Sequence, residues 1–325
     1  MLGIDDILSI RTPDQLREAA MELFAFQSQA CAPYREYISL AGIDPRRVDA
    51  PEKIPFLPIE LFKSHTVYCG ERAPEIVFTS SNTGGTAPSR HPMASLEVYE
   101  KTFRRAFELF YGPASGVKIY GLLPNYLQRQ GSSLVYMVDR LIAAGSGGFY
   151  LDDYPGLIAD LEREHGPKIL LGVSYALWDL AERYAPKLTD TVVMETGGMK
   201  GRREELPKEE FHALLCRGFG VERIHSEYGM AELTSQAYSD GEGVFRCPPW
   251  MQVSLRDLND PFDVVLPGTR TMSCTGGINV TDLANLTSCA FIQTQDVGRL
   301  WPDGRFSVLG RADHSEIRGC NLLIQ

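Results

Sequence analysis

No run of apolar residues in this 325-residue chain approaches the roughly 20 needed to cross a bilayer, so no membrane span is expected. Positive charge is also scarce. The 32 Lys and Arg stand against 42 Asp and Glu, a net charge of −10, and without a basic face nucleic acid is not an expected partner. The opening residues lack the basic-then-apolar layout of a secretory signal, because Asp5 and Asp6 fall within them, and a cytoplasmic location is expected. Cysteines are few and widely spaced: Cys31, Cys69, Cys216, Cys247, Cys274, Cys289 and Cys320. No CxxC pair occurs, which excludes a readable zinc ribbon or thioredoxin-type site. These thiols are expected to be reduced, and the first six to be small buried hydrophobes. His65, His91 and His165 are scattered, form no metal-ligating motif, and are expected at the surface or in local hydrogen bonds. Internal repeats, low-complexity tracts and long linkers are absent too.

What is present is an ordinary globular mixture, 44% hydrophobic and 23% charged, sufficient for one large domain or two modest ones. Thr12-Pro13-Asp14-Gln15 combines a capping residue, proline at the first helical position and Gln three after the cap. Leu16, Ala19, Ala20, Leu23 and Phe24 then follow a helical stripe. Pro74 to Thr79 reads as a strand leading into a polar loop, followed by a helix from about Ser95 to Phe110. Strand candidates at Val117–Leu123, Lys168–Val173, Thr191–Met194 and Val221–His225 alternate with helix candidates at 132–144, around Leu157–Leu161, at Tyr175–Tyr184 and at Lys208–Arg217. Such alternation predicts an α/β fold with a mostly parallel sheet packed by helices on both faces. After about Ser239 short apolar runs at Phe262–Leu266, Thr271–Cys274 and Arg305–Leu309 predict a smaller β-rich subdomain within one compact unit.

Several segments carry chemistry. Ser80-Ser81-Asn82-Thr83-Gly84-Gly85-Thr86 follows a strand and contains only Ser, Thr, Asn and Gly. Paired glycines let backbone N–H groups approach an anion, and the hydroxyls add donors. It is neither a Walker loop nor a GxGxxG fingerprint, and an exposed polar turn has the same composition. In Tyr228-Gly229-Met230-Ala231-Glu232 the glycine lets a ligand pass close to backbone, Tyr228 can stack on a ring, and Glu232 can hold a hard cation such as Mg²⁺. A turn with a surface carboxylate is the plainer reading. Asp296 can accept hydrogen bonds from ribose hydroxyls, and Arg311 can pair with phosphate. Gly172-Val173-Ser174-Tyr175-Ala176 nearly matches the GxSxG nucleophile elbow, so a hydrolase or acyltransferase using Ser174 stays open, with His212, His225 or His314 as partner.

Together these segments, from about residue 50 to the end, resemble the adenylate-forming superfamily of acyl- and aryl-CoA ligases. Ser80–Thr86 is similar to its phosphate loop, Gly172–Glu182 to the segment entering its acyl pocket, and Tyr228–Glu232 to its Tyr-Gly-x-x-Glu motif. Thr281-Asp282-Leu283 with Gln295-Asp296 resembles its strand pair ending in the ribose-binding Asp, and Gly310–Gly319 its hinge motif, with Asp313 at the hinge. Within the superfamily, Pro55-Phe56-Leu57-Pro58-Ile59 and Phe62-Lys63-Ser64 resemble the acyl-protein synthetases of bacterial bioluminescence.

That resemblance implies ATP and Mg²⁺ as cofactors and activation of a carboxylic acid, fatty or aryl, to acyl-AMP. Ser80–Thr86, Tyr228, Gly229, Asp296 and Arg311 would bind ATP, with Glu232 on the metal. Tyr120, Ser174, Tyr175, Gly197 and Gly198 would form the acyl pocket. Cys320 would take the acyl group, and an acyl-CoA-reductase-like protein would be the partner that removes it. Residues 1–310 would be the adenylate-forming domain and 311–325 a hinge-like tail, the ligases' mobile C-terminal domain and its lysine being missing. The loop departs from the family pattern at Asn82 and Gly85, and Arg90 is the nearest cation to it. A non-catalytic nucleotide-binding relic is a further alternative.

Overall fold

The computed structural model describes residues 2–80, 87–123, 131–199 and 202–312. Where the sequence suggests one compact unit, the structure divides into two, Gly70–Pro248 and Met1–Cys69 with Pro249–Gln325. The two differ in architecture: α/β in the first, mostly antiparallel β in the second, which also holds the N-terminal helices.

The 70–248 unit is built on a six-stranded sheet in the order Ser146–Phe149, Lys118–Leu122, Lys168–Val173, Thr191–Thr196, His225–Tyr228, Ala237–Ser239. Every neighbouring pair is parallel except the last. The five parallel strands thus run 2-1-3-4-5, the doubly wound order in which the chain reverses direction between strands 1 and 3. Lys168–Val173 lies at that reversal and is buried along its whole length, which is why it carries no polar side chain after Lys168. The helix Leu96–Tyr111 buries Tyr99, Thr102, Phe103, Ala106 and Phe107, the spacing of one helical face, and Gly112 stops it at φ +76°.

The other unit opens on the helix Pro13–Ala30. Its Thr12 hydroxyl accepts from Gln15 N at 3.3 Å, and Gln15 Oε1 accepts from Thr12 N at 3.2 Å, the predicted capping box. The predicted stripe is buried, and Phe24 meets Phe291 edge-on at 6.2 Å. Buried Gln27 donates to Asn285 O at 2.7 Å and accepts from Ala290 N at 2.9 Å. The sheet runs Phe306–Arg311, Phe291–Leu300, Cys274–Asp282, Met251–Arg256, Val264–Val265, all antiparallel, with Leu57–Pro58 parallel to Phe291–Leu300.

Some boundaries differ from the sequence reading. The strand expected at Val221–His225 is His225–Tyr228, because the left-handed cap at Gly220 must first be followed by a connecting loop. Its polar residues read poorly as a buried strand, yet Ser226 and Glu227 find partners on Thr191–Thr196. The strand Ser146–Phe149 was hidden by its glycines. Gly147 is required there, since a Cβ would lie 1.8 Å from Ile119 O. In the β-rich part, Phe262–Leu266 contracts to Val264–Val265, and the run at Thr271–Cys274 marks only the start of Cys274–Asp282. Of the six cysteines expected to be buried only Cys31 and Cys289 are; Cys69, Cys216, Cys247 and Cys274 are half-exposed. No helix among the described residues is long and apolar enough to cross a membrane.

Candidate active site

The polar loop joins the strands of an antiparallel hairpin, Ile76–Thr79 and Arg90–Met93. The returning strand was not expected from the sequence. Its base is clasped by Ser80 N donating to Ser89 O at 3.2 Å and Ser89 N donating to Ser80 Oγ at 2.9 Å. Ser81, Asn82, Thr83, Gly84, Gly85 and Thr86 lie outside the described residues. His91, expected at the surface or in a local bond, is instead 1% exposed. Its Nδ1 lies 2.8 Å from Ala231 O, so the imidazole donates there and ties the loop's hairpin to the Tyr228–Glu232 turn. Burial drives its pKa down to about 4 against the effect of that bond, leaving a neutral ring at physiological pH.

Ser174, Gly197, Gly198 and Tyr228 lie at the carboxyl ends of the parallel strands, with Tyr120 at mid-strand. Ser174 begins the helix Ser174–Arg183 directly after the strand Lys168–Val173. Gly197 and Gly198 follow Thr191–Thr196, with Gly197 at φ +69°. Tyr228 ends its strand rather than following it. Tyr120 lies on Lys118–Leu122, buried, its ring 6.0 Å from Tyr150. Tyr175 is buried as well, with the Arg202 guanidinium 4.7 Å above its ring. Tyr120 therefore sits on one of the two strands that flank the reversal of strand order, and Ser174–Tyr175 directly follow the other, where open α/β sheets bind ligands.

Beneath this edge lies a buried polar cluster that the sequence did not disclose. Glu195, 2% exposed, accepts from Ser174 Oγ at 2.9 Å, from Ser226 Oγ at 2.7 Å and from Lys208 Nζ, with His212 Nε2 at 3.5 Å. Burial alone would raise its pKa; the Lys208 charge and the bonds from His212, Lys208 and Ser226 outweigh it and bring the value to about 2. Ser174 also donates to Gly197 O. Its hydroxyl thus points at a carboxylate and a carbonyl, and among the described residues no histidine is bonded to it as a nucleophile's base would be. Neither His212 nor His225 is bonded to Ser174, and His314 lies outside the described residues. On the next strand position Thr196 Oγ1 donates to Glu227. Burial, with the Glu195 charge adding to it, lifts Glu227 to about 7 despite the Thr196 bond. A Cβ on Gly229 would lie 2.4 Å from Glu227 Oε1, so the carboxyl occupies the space that only glycine leaves.

Glu232 is 5% exposed, not a surface carboxylate, and the Tyr228 ring packs against Phe245 at 5.8 Å. Among the described residues no group of three or more His, Cys, Asp or Glu forms a metal cage. Mg²⁺ commonly needs none, being held by one or two carboxylates with substrate phosphates, and a hard carboxylate such as Glu232 is a fitting donor.

In the other unit the structure brings Asp296 and Arg311 together. They are direct partners across the ladder, with Arg311 Nε 3.8 Å from Asp296 Oδ1. Arg311 Nη2 donates to Gln295 Oε1 at 2.8 Å, and Gln295 Nε2 donates to Glu60 Oε1 at 2.6 Å. Arg256, behind them and 8% exposed, was missed because it reads as one charge at the end of a strand. Asp313 and Cys320 lie outside the described residues.

Two surface concavities of about 300 and 500 Å³ lie elsewhere in the 70–248 unit, and no residue expected in the ATP or acyl site lines either. No family model and no curated protein matches the sequence. Solved structures do share the fold. ATP-bound MatB from Rhodopseudomonas palustris is 16% identical over 74% of this chain and 49% of its own length, with a TM-score of 0.55. The chain therefore spans about half of MatB. 2-Hydroxyisobutyryl-CoA ligase in the postadenylation state, in complex with R3-HIB-AMP, is 13% identical over 92% of this chain and 68% of its own, with a TM-score of 0.67. The same ligase in an open conformation with 2-HIB-AMP and CoA gives 0.65 over 93% and 70%. The α/β class with a β-rich part, expected from the sequence, is thus the fold observed.

Proposed function

We propose that this chain activates a carboxylic acid with ATP, forming an acyl adenylate and pyrophosphate, and passes the acyl group to a thiol. The observation that carries the reading is the placement of Ser174, Tyr175, Gly197, Gly198 and Tyr228 at the carboxyl ends of strands in a 2-1-3-4-5 sheet. Ligases solved with AMP conjugates share that fold, which supports the choice of reaction.

In the first step a carboxylate oxygen bonds to the α-phosphorus as the bond to pyrophosphate breaks. Positioning and charge stabilisation are the protein's contribution to such chemistry. The Ser80–Thr86 loop takes the triphosphate, Tyr228 and Gly229 the adenine side, Asp296 the ribose hydroxyls, and Arg311 phosphate or ribose. Glu232 would hold Mg²⁺, which neutralises phosphate charge when bound. Tyr120, Tyr175 and the Gly197–Gly198 turn line the acid's pocket, with Ser174 fixing its wall rather than reacting.

In the second step a thiolate attacks the acyl carbonyl and AMP leaves. We assign that thiolate to Cys320, with Arg318 two residues away to favour the ionised form. An acyl-CoA-reductase-like protein then removes the acyl group, the reading the acyl-protein synthetase resemblance supports. A fatty or aryl acid suits the aromatic faces of Tyr120 and Tyr175.

Carboxylate-dependent exchange of pyrophosphate into ATP tests the first step; no exchange with any of a panel of fatty and aryl acids overturns it. Retention of radiolabelled acid on the protein, lost in Cys320→Ser, tests the second. Label that survives the substitution rejects Cys320.

A further inference from the structure

We propose that Arg256 is a positioning residue for the nucleotide ribose: its guanidinium plugs a bulge in the strand Phe291–Leu300 and so aims Asp296. The inference rests on the reading of Asp296 as ribose acceptor and deepens it.

The bulge is read from the register. Gly277 pairs with Val297 and Asn279 with Gln293, so Ile278 alone faces Thr294, Gln295 and Asp296. Extra residues in a bulge lose their ladder partners, and the side chains they carry are re-aimed. Something must satisfy the groups set free. Arg256 enters from the opposite neighbour, where it pairs with Gly277. A Cβ on Gly277 would lie 2.6 Å from the guanidinium carbon, so glycine there is what lets the side chain cross. Arg256 Nη1 donates to Ile278 O at 2.8 Å and to Asn279 Oδ1 at 3.0 Å, and Nη2 donates to Thr294 O at 2.7 Å. One rigid fork therefore joins both sides of the bulge, which the single ammonium of lysine cannot reproduce.

The hold continues to Asp296. Thr294 Oγ1 donates to Ile278 O at 2.8 Å, the carbonyl that Arg256 also engages, and accepts from Asp296 N at 3.1 Å. Arg256 thus reaches the Asp296 backbone through one side chain. Its three acceptors are neutral, an uncommon setting for a buried cation. Burial depresses its pKa, opposed by the charges of Glu60 and Asp296.

The test compares binding of ATP and 2′,3′-dideoxy-ATP by titration calorimetry in the full chain, with Arg256→Lys and Gly277→Ala as variants. The first keeps the charge but loses the fork, and the second displaces the fork while keeping the arginine. Arg256→Met is a harsher third variant, checked first by thermal melting. Each folded variant is expected to bind ATP about tenfold more weakly, the worth of one hydrogen bond to a charged group, and dideoxy-ATP as the unsubstituted protein does. A merely structural role lowers the melting temperature and leaves the ratio of the two affinities unchanged, which overturns the proposal. If the unsubstituted protein binds ATP but does not distinguish the dideoxy analogue, the ribose reading falls and this inference with it. If it binds no ATP, the adenylation reading falls as a whole.

Discussion

Asp296 and Arg311 face each other across the antiparallel strands Phe291–Leu300 and Phe306–Arg311, their charged groups 3.8 Å apart. The register slips on both sides of Asp296, once against Cys274–Asp282 and once against Phe306–Arg311. Arg311 is largely exposed, so the pair adds little to stability. Asp296→Ala is expected to weaken ATP binding about tenfold while leaving the thermal midpoint nearly unchanged, as loss of a charge-assisted bond to ligand does. Calorimetric titration and thermal melting of one preparation check both halves.

Glu195 anchors a buried cluster. Glu195→Ala strips the acceptor from Ser174, Ser226 and Lys208 and is expected to cost about 3–5 kcal/mol, the usual loss when one member of a buried ionic network is removed. Ser174→Ala removes one donor and is expected to cost about 1 kcal/mol. Urea unfolding of both variants gives the comparison. A fluorophosphonate probe is expected to leave Ser174 unlabelled, because its hydroxyl is committed to Glu195 and Gly197.

His91 makes stability depend on pH. Its folded pKa, about 4, lies below the ordinary 6.5, so the stability it contributes is present above pH 6.5 and lost as pH falls toward 4. The loss is on the order of 3 kcal/mol over that window. His91→Asn keeps an N–H donor without the titration. The difference between the two proteins' stabilities is expected to shrink as pH falls through the window, measured by denaturant midpoints at several pH values.

Glu227 has the opposite sign. Its folded pKa, about 7, lies above the ordinary 4.5. The stability it contributes is present below pH 4.5 and lost as pH rises through 7. Glu227→Gln keeps the shape of a neutral carboxyl and is expected to gain on the unsubstituted protein by on the order of 3 kcal/mol between pH 4.5 and 7. A stability difference that stays flat across that range would contradict the buried, neutral carboxyl.

The sequence disclosed the elements whose pattern is local. After Lys168 the strand to Val173 carries no polar side chain, and Thr12 with Gln15 writes a helix start into four residues. The hairpin return at Arg90–Met93 escaped because it opens on two polar residues and a proline, although His91 and Met93 are buried by distant neighbours. The strand His225–Tyr228 escaped because its polar residues are satisfied only across the sheet, by Glu195 and Thr196. At the candidate site, residues chosen for their chemical type, such as Asp296 with Arg311, were brought together. Those acting from below, Glu195, His91 and Arg256, owe their role to burial and to partners far along the chain, which composition and spacing do not encode.

The 70–248 unit is contiguous, but the other unit is assembled from chain segments that 70–248 separates. During synthesis, the apolar stripe of the helix Pro13–Ala30 emerges long before Phe291, which meets Phe24 and Tyr34, and before Asn285 and Ala290, which bond Gln27. Closing so large a loop is slow, and a domain made of neighbouring elements folds ahead of it. The early helix must therefore wait with Phe24 and Gln27 lacking their C-terminal partners, which makes the nascent N-terminal segment more exposed to aggregation than the finished protein.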